Sequence, residues 1–296
     1  MQISISDRPL LLVLGMGYSA SRFVQLHRPM FARVAATTRR MDKAAGLIAG
    51  GLDAFQFDGQ PSQGLVRAAA EASHVLVSIP PTKLGDPALN TLRPLFRESK
   101  NLRWIGYLST TAVYGDHYGR WVDEATPVAP KSPRAKWRAD AEEGWRALAL
   151  PERAVHIFRL SGIYGPGRNA LADIKNGDAK RIAKPDQVFN RIHVDDIAQV
   201  LAAAIARPDA GPVFNVSDEE PAASEEVVAY AAKLLGQEPP PLTPYAQAQL
   251  SDMAKSFWEE SKRVTAKKIN TELGVDLLYP TYREGLLTLM AEGEGR

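Results

Sequence analysis

Cysteine is missing from all 296 residues. Its absence excludes disulfides, thiolate metal sites and a cysteine nucleophile, and it fits a cytosolic chain. An excess of one charge is missing too. The formal net charge is +2 and no Lys/Arg block exceeds two residues, so the footprint of a nucleic-acid binder is lacking. Long apolar runs are also absent. LLLVL, ahead of Gly15, is about five residues long and follows Asp7. A signal h-region or a membrane span needs more. No repeat of fixed period is evident. These absences make a soluble, cytoplasmic protein the expectation, with no membrane, nucleic acid or metal as partner. What remains is ordinary: 45% apolar and 24% charged residues, the composition of a globular protein. The length suffices for one α/β domain with an appendage or for two small domains.

Apolar runs alternate with amphipathic segments. PLLLVLG (9–15), FARVAATT (31–38), LDAFQF (52–57), HVLVSIP (74–80), LRWIGYLS (102–109) and RAVHIFRLS (153–161) read as strands. YSASRFVQLHR (18–28), RRMDKAAGLIAGG (39–51), QGLVRAAAEA (63–72), PALNTLRPLFRESK (87–100) and SPRAKWRADAEEGWRALAL (132–150) read as helices between them. Such alternation predicts an α/β fold, a parallel sheet covered by helices on both faces. After residue 165 the pattern loosens. GQEPPPLTP (236–244) is a proline-rich connector, and the last fifty or so residues read as helical and then irregular.

LVLGMGYSA places Gly15-x-Gly17-x-x-Ala20 directly after the first strand and at the start of a helix, the context a dinucleotide fingerprint requires. The first glycine makes the tight turn, the second lets a pyrophosphate approach the backbone, and the small third residue lets helix and strand pack closely. Free N–H groups of Tyr18, Ser19 and Ala20 at the helix start then meet the phosphates. The second strand ends in ATTRR. Sites that prefer NAD place a carboxylate here; this chain has Thr37, Thr38, Arg39 and Arg40. A guanidinium forks onto phosphate oxygens, which favours NADP over NAD. The alternative is two solvated arginines opening a helix, an unfavourable place for cations. Asp58 borders the adenine or forms a turn. Ile79, Pro80 and Pro81 end the fourth strand and form a rigid wall beside the middle of the cofactor.

YLSTTAVYG (107–115) gathers hydroxyls at a strand end, where they orient a substrate or form an ordinary turn. Together, LGMGYSA (14–20), STTAVYG (109–115), RLSGIYGPGR (159–168) and RIHVDDIA (191–198), with FNVSD (214–218) and LGVDLLYPTYREGL (273–286), resemble extended or atypical short-chain dehydrogenase/reductases of the NAD-dependent epimerase/dehydratase group. The likeness covers essentially the whole chain. It implies a Rossmann-type, doubly wound parallel sheet in residues 1–168, rejoined by 187–218. A smaller substrate lobe would come from 169–186 and 219–296. It implies that Thr110 orients the substrate, with Ser109 and Thr111 beside it. Leu160 to Ile163, Ser161 included, would pass close to the nicotinamide. His193, Asp195 and Asp196 would open a helix whose first turn the acids stabilise.

In that family the acid/base is a tyrosine followed four residues later by a lysine that lowers its pKa; an ordinary tyrosine, at about 10, is a poor base at neutral pH. No tyrosine lies between Tyr118 and Tyr164. With Glu142 as the guide, the two positions map to Arg134 and Arg138; a shifted register gives Ser132 and Lys136. Three readings stay open. In the first, an NADP-dependent enzyme has a relocated acid/base, with Tyr114, His117, Tyr118 or Tyr164 as candidates. Arg134 or Arg138 then binds an anion or stabilises an oxyanion. In the second, a catalytically inactive protein binds NADP as a redox sensor or regulator. In the third, the substrate supplies the acid or base. The plain alternative is a solvated helix face with Arg138–Glu142 as an i,i+4 pair. The expected activity is that of an NADP-dependent oxidoreductase or epimerase/dehydratase acting on a small molecule, anionic or nucleotide-linked. Lys175, Lys180, Arg181, Lys184 and Arg191 would form a basic approach lane to it. The resemblance also implies a homodimer through the helices at 87–100 and 133–149, where Trp137, Trp145 and Leu148 serve either an interface or the sheet.

Overall fold

Parallel pairing orders the first half of the chain. In the computed structural model, which describes residues 9–295, five strands come first: β1 (Leu10–Leu14), β2 (Arg33–Thr38), β3 (Asp53–Gln56), β4 (His74–Val77) and β5 (Trp104–Thr110). The helices between and after them are α1 (Tyr18–His27), α2 (Met41–Ala49), α3 (Gln63–Glu71), α4 (Pro87–Glu98) and α5 (Pro133–Arg146). Met1–Arg8, where the sequence suggests no signal segment, and Arg296 lie outside the described residues. The strands Ala154–Leu160 and Val213–Val216 complete a seven-stranded sheet. From one edge the order is 213–216, 154–160, β5, β4, β1, β2, β3, with every pairing parallel. Among the described residues no helix is long and apolar enough to cross a membrane.

The period of two along a strand explains why these runs are apolar throughout. Leu11 and Val13 join one core with Phe23, Ile197 and Leu201, while Leu12 and Leu14 join another with Leu65, Phe96 and Trp145. Both faces are covered, so neither alternate can be polar. Trp145 and Leu148 are buried in the second core, and the Trp145 indole donates to Asp86 at 2.9 Å, so these two serve the sheet. Trp137 stays half-buried at the α4–α5 face.

The structure corrects two boundaries. β4 stops at Val77, because Ser78 and Ile79 both donate to the Leu14 carbonyl and two prolines without N–H groups follow. α5 ends at Arg146 rather than 150. The loose pattern after residue 165 hides strands that complete three short parallel ribbons: 162–164 with 191–193, 181–183 with 242–244, and 121–122 with 263–264. Strands of two or three residues are too short to show periodicity. A separate core of Tyr164, Leu171, Val227, Tyr282 and Leu286 binds the helices Ala170–Lys175, Ser224–Leu234 and Tyr282–Ala291.

Burial holds three histidines neutral. It lowers His74, His156 and His193 from 6.5 to about 4. The His156 ring Nδ1 accepts from the Trp104 indole at 3.0 Å, which requires the unprotonated form there. The folded value lies below the unfolded one. The stability these rings confer is therefore present above the ordinary histidine range and is lost as pH falls through about 4. A shift of this size corresponds to roughly 3 kcal/mol for His156. Urea midpoints should drop steadily between pH 7 and 4.5, and His156→Phe should reduce that slope while lowering stability at pH 7. An unchanged slope in the variant would mean that His156 is not held neutral.

Candidate active site

The glycine loop is built from β2 as much as from β1. Gly15 donates to the Thr37 hydroxyl at 2.8 Å, and Met16 donates to the Thr37 carbonyl at 2.8 Å. Gly15 has φ +94°, and a Cβ there would meet Ile79 at 2.8 Å, so both backbone and space demand glycine. Gly17 differs. A Cβ there would find only the Ser78 hydroxyl, at 3.6 Å. The room beside Gly17 is therefore open to a ligand rather than filled by protein. Gly17 is also the N-cap of α1 and offers no side-chain cap, so the first N–H groups of α1 are left for an anion. Ser19 and Ala20 are buried behind the loop. The Tyr18 phenol turns away and donates to the Pro166 carbonyl at 3.0 Å, with Arg168 stacked 5.9 Å over its ring. This loop fits the pyrophosphate of a dinucleotide.

At the end of β2 the two arginines part company. Arg40 forks onto Asp42, with one contact at 2.9 Å, so its charge is engaged on the surface. Arg39 is exposed beside it, and its carbonyl accepts from Gln56 at 3.2 Å. Lys43, one turn on from Arg39, reaches back and donates to the Met16 carbonyl at 2.5 Å. It adds a cation to the loop that the sequence reading missed, although the i,i+4 spacing from Arg39 could have signalled it. Thr38 accepts from the Arg40 amide at 3.4 Å, and Asp58 is exposed in a turn whose Gln60 amide it accepts at 3.3 Å.

At the end of β5 the hydroxyls have separate duties. Ser109 donates to Glu142 at 2.5 Å, which removes it from the free cofactor-facing groups. Thr110 accepts from the Ala112 amide at 3.2 Å, which leaves its own proton to donate. Glu142 does not pair with Arg138. It forms a buried ion pair with Arg159 at 2.8 Å, and Arg159 donates to the Tyr114 phenol at 3.0 Å. Tyr114 in turn donates to Asn215 at 2.7 Å. Arg138 is held instead on the Leu108 carbonyl at 2.8 Å and the Tyr107 phenol at 3.2 Å.

Thr110, Arg138, Ser161 and Leu160 line one cleft of about 400 Å³, with Ser19 and Ser78 from the glycine-loop side. Arg168, Asn190, Phe257, Glu260 and Lys262 close it from the other side. Glu260 and Lys262 form a largely buried ion pair at 2.8 Å. Sequence reasoning gives neither a role: Glu260 stands in no motif, and Lys262 lies in SKRVTAKKI (261–269), a stretch that resembles a late helix of the family without a catalytic part. A second chamber of about 480 Å³ adjoins, lined by Tyr164, Arg191 and Tyr282.

Several candidates fall away. Tyr114 is fully buried, committed to Asn215 and Arg159, and burial raises its phenol above the ordinary value. Tyr118 is 80% exposed, on a loop tied to the Ser261 carbonyl, and it faces a different hollow. His117 stands by the Tyr114 carbonyl at 3.1 Å. Burial raises Tyr164 strongly, and it lines the second chamber only. Arg134 and Lys136 project to solvent from the first turn of α5, whereas Arg138 and, from the shifted register, Ser132 line the cleft; the Ser132 hydroxyl accepts from the Ala135 amide at 3.2 Å. Three of the five residues of the expected basic lane are engaged elsewhere. Lys180 and Lys184 donate to the carbonyls of Gln249 and Trp258, and Arg191 donates to those of Phe189 and Ala222. Asp195 pairs with Arg22 at 2.5 Å, and Asp196 accepts from the Leu278 and Tyr279 amides, both structural roles. No tyrosine anywhere in the sequence is followed four residues later by lysine.

Comparison with known proteins agrees with this geometry. The family model described as "NAD dependent epimerase/dehydratase family" matches residues 56–217. Protein YeeZ of Escherichia coli (strain K12) is 28% identical over 176 residues, which is 60% of this chain and 58% of that protein. The 3-diazoavenalumate denitrifying reductase of Streptomyces sp is 28% identical over 181 residues, 56% of this chain and 58% of that one. The chain thus spans under two thirds of the curated relatives it matches. A functionally unknown conserved protein from Silicibacter pomeroyi DSS superimposes with a TM-score of 0.87 at 45% identity, covering 97% of this chain and 99% of that one.

Removing one member of the Glu142–Arg159 pair leaves a buried charge unmatched, which costs about 3–5 kcal/mol. Glu142→Gln should lower the urea-derived stability by about 3 kcal/mol; a loss below roughly 0.5 kcal/mol, the scale of a surface change, would contradict the buried pair.

Proposed function

The chain belongs to the NAD dependent epimerase/dehydratase family, and on that premise we propose that it is an NADP-dependent oxidoreductase for a small anionic carbonyl compound. The observation that carries this reading is the one cleft in which the glycine-loop side meets Thr110, Arg138 and Arg168. A protein that only sensed the cofactor would need the first half of that arrangement and not the second. One relative is itself named a reductase, of a different compound class.

Gly15 and Gly17 shape the loop, and the N–H groups of Tyr18, Ser19 and Ala20 hold the pyrophosphate. Arg39 takes the 2′-phosphate, with Thr38 and Lys43 close by and Asp58 at the adenine edge. Ile79, Pro80 and Pro81 wall the middle of the cofactor, and Leu160 and Ser161 back the nicotinamide ring. The nicotinamide, when bound, supplies the hydride. Thr110 donates a hydrogen bond to the substrate oxygen, with one of its lone pairs already serving the Ala112 amide. Arg138 is fixed by two acceptors and so points a permanent charge into the cleft at little further entropic cost. A carboxylate on the substrate satisfies it bidentately. Arg168 adds a second cation.

The test is a fluorescence titration with NADPH and, separately, NADH at fixed salt. NADPH should bind about 10–100-fold tighter, the worth of one charge-assisted phosphate contact. Arg39→Asp should erase the difference. Gly17→Val should abolish binding of both while leaving thermal unfolding unchanged, because a side chain there collides only with the ligand. Equal affinities in the native chain would remove the NADP assignment, and full affinity in the Gly17 variant would remove the loop as the site.

A further inference from the structure

A carbonyl reduced in this cleft needs a proton as well as a hydride, and the groups that could give one are few. Among the described residues no histidine, tyrosine or cysteine lines the cleft. Arg138 and Arg168 are guanidiniums, which keep their protons. The serine and threonine hydroxyls are weak acids that must be replenished by something stronger. Two lining residues with ionisable side chains of the general acid–base kind remain: Glu260 and Lys262.

These two are placed with care. Lys262 is 7% exposed, and its ammonium donates to Glu260 at 2.8 Å. Its backbone is clamped as well. The Asn190 amide donates to the Lys262 carbonyl at 2.8 Å, and the Asn190 side-chain oxygen accepts from the Val264 amide at 2.8 Å. Asn190 itself lines the cleft. A buried ion pair contributes little net stability, so stability alone gives no reason to place one at a ligand cavity.

We propose that Lys262, oriented by Glu260, is the proton donor of this cleft. The proposal rests on the oxidoreductase reading above. As the carbonyl π bond breaks, the carbon gains a hydride from the reduced nicotinamide dinucleotide, which is oxidised. The oxygen gains a proton from Lys262: one N–H bond breaks and one O–H bond forms. The neutral amine then takes a proton back from solvent through Glu260. Thr110 orients the same oxygen, and Arg138 holds the anionic end of the substrate. Lys262 thereby stands where the family pattern leads one to expect a residue of α5.

The test uses the full chain saturated with NADP. Glyoxylate, the smallest 2-oxo acid, is fixed on accessible amines by cyanoborohydride, and peptide mass spectrometry locates the carboxymethyl-lysines. Lys262 should be modified in the native chain despite its burial, and oxalate should protect it while surface lysines stay reactive. Modification of Lys262 only after denaturation would overturn the proposal, because the amine would not face the ligand. A panel of 2-oxo acids with NADPH gives the second readout. Lys262→Arg preserves the charge and the Glu260 pair, so KM should stay within about threefold while kcat falls at least 100-fold or so, the lower end for loss of a general acid. Unchanged kcat in that variant would also overturn it. If no panel member oxidises NADPH, the oxidoreductase reading fails, while labelling still decides whether Lys262 meets an anionic carbonyl ligand.

Discussion

The buried Glu142–Arg159 pair is the contact on which the cleft depends. It joins α5 to the strand Ala154–Leu160, and its outer bonds extend to Ser109 on β5, to Tyr114 in the following turn and, through Tyr114, to Asn215. Four elements are thus fixed relative to one another by one carboxylate and one guanidinium. Each charge is fully matched, so the desolvation cost is met within the network. With Glu142 taken by Arg159, Arg138 is free to turn to the Leu108 carbonyl and into the cleft.

The same principle governs the glycine loop. Thr37 holds both Gly15 and Met16, and Lys43 holds the Met16 carbonyl from outside. The loop is rigid where the protein needs it and empty beside Gly17, where a ligand would lie. Preorganised backbone of this kind pays little entropy on binding.

Much of this was legible in the sequence. The parallel sheet with helices on both faces follows from alternating apolar runs and helices, and the glycine loop from Gly15, Gly17 and Ala20 in their context; the order of the seven strands comes from the structure. Boundaries failed where local chemistry competed, as at Ser78 and Ile79, which fold back onto Leu14. The placement of hydroxyls failed in part because a motif does not say which oxygen is already bonded: Ser109 looks equivalent to Thr110 until Glu142 claims it. Lys180, Lys184 and Arg191 were misplaced for the same reason, since nearby carbonyls recruit them. Glu260 and Lys262 carry no sign of a site in the sequence, because only tertiary folding brings them to the cleft. Arg138 lines the cleft, yet the partnership with Glu142 that its spacing suggests does not form.

The two cationic regions of the protein differ in one more respect. Arg39 and Arg40 stand in water, and Arg40 shares its charge with Asp42. Arg138 and Lys262 sit largely out of solvent, on fixed partners. Mobile ions screen the first pair over about 8–10 Å at ordinary ionic strength and reach the second far less. Salt should therefore act unequally on this molecule: an anion drawn to the end of β2 feels the surrounding electrolyte, while one seated in the cleft feels mainly the protein.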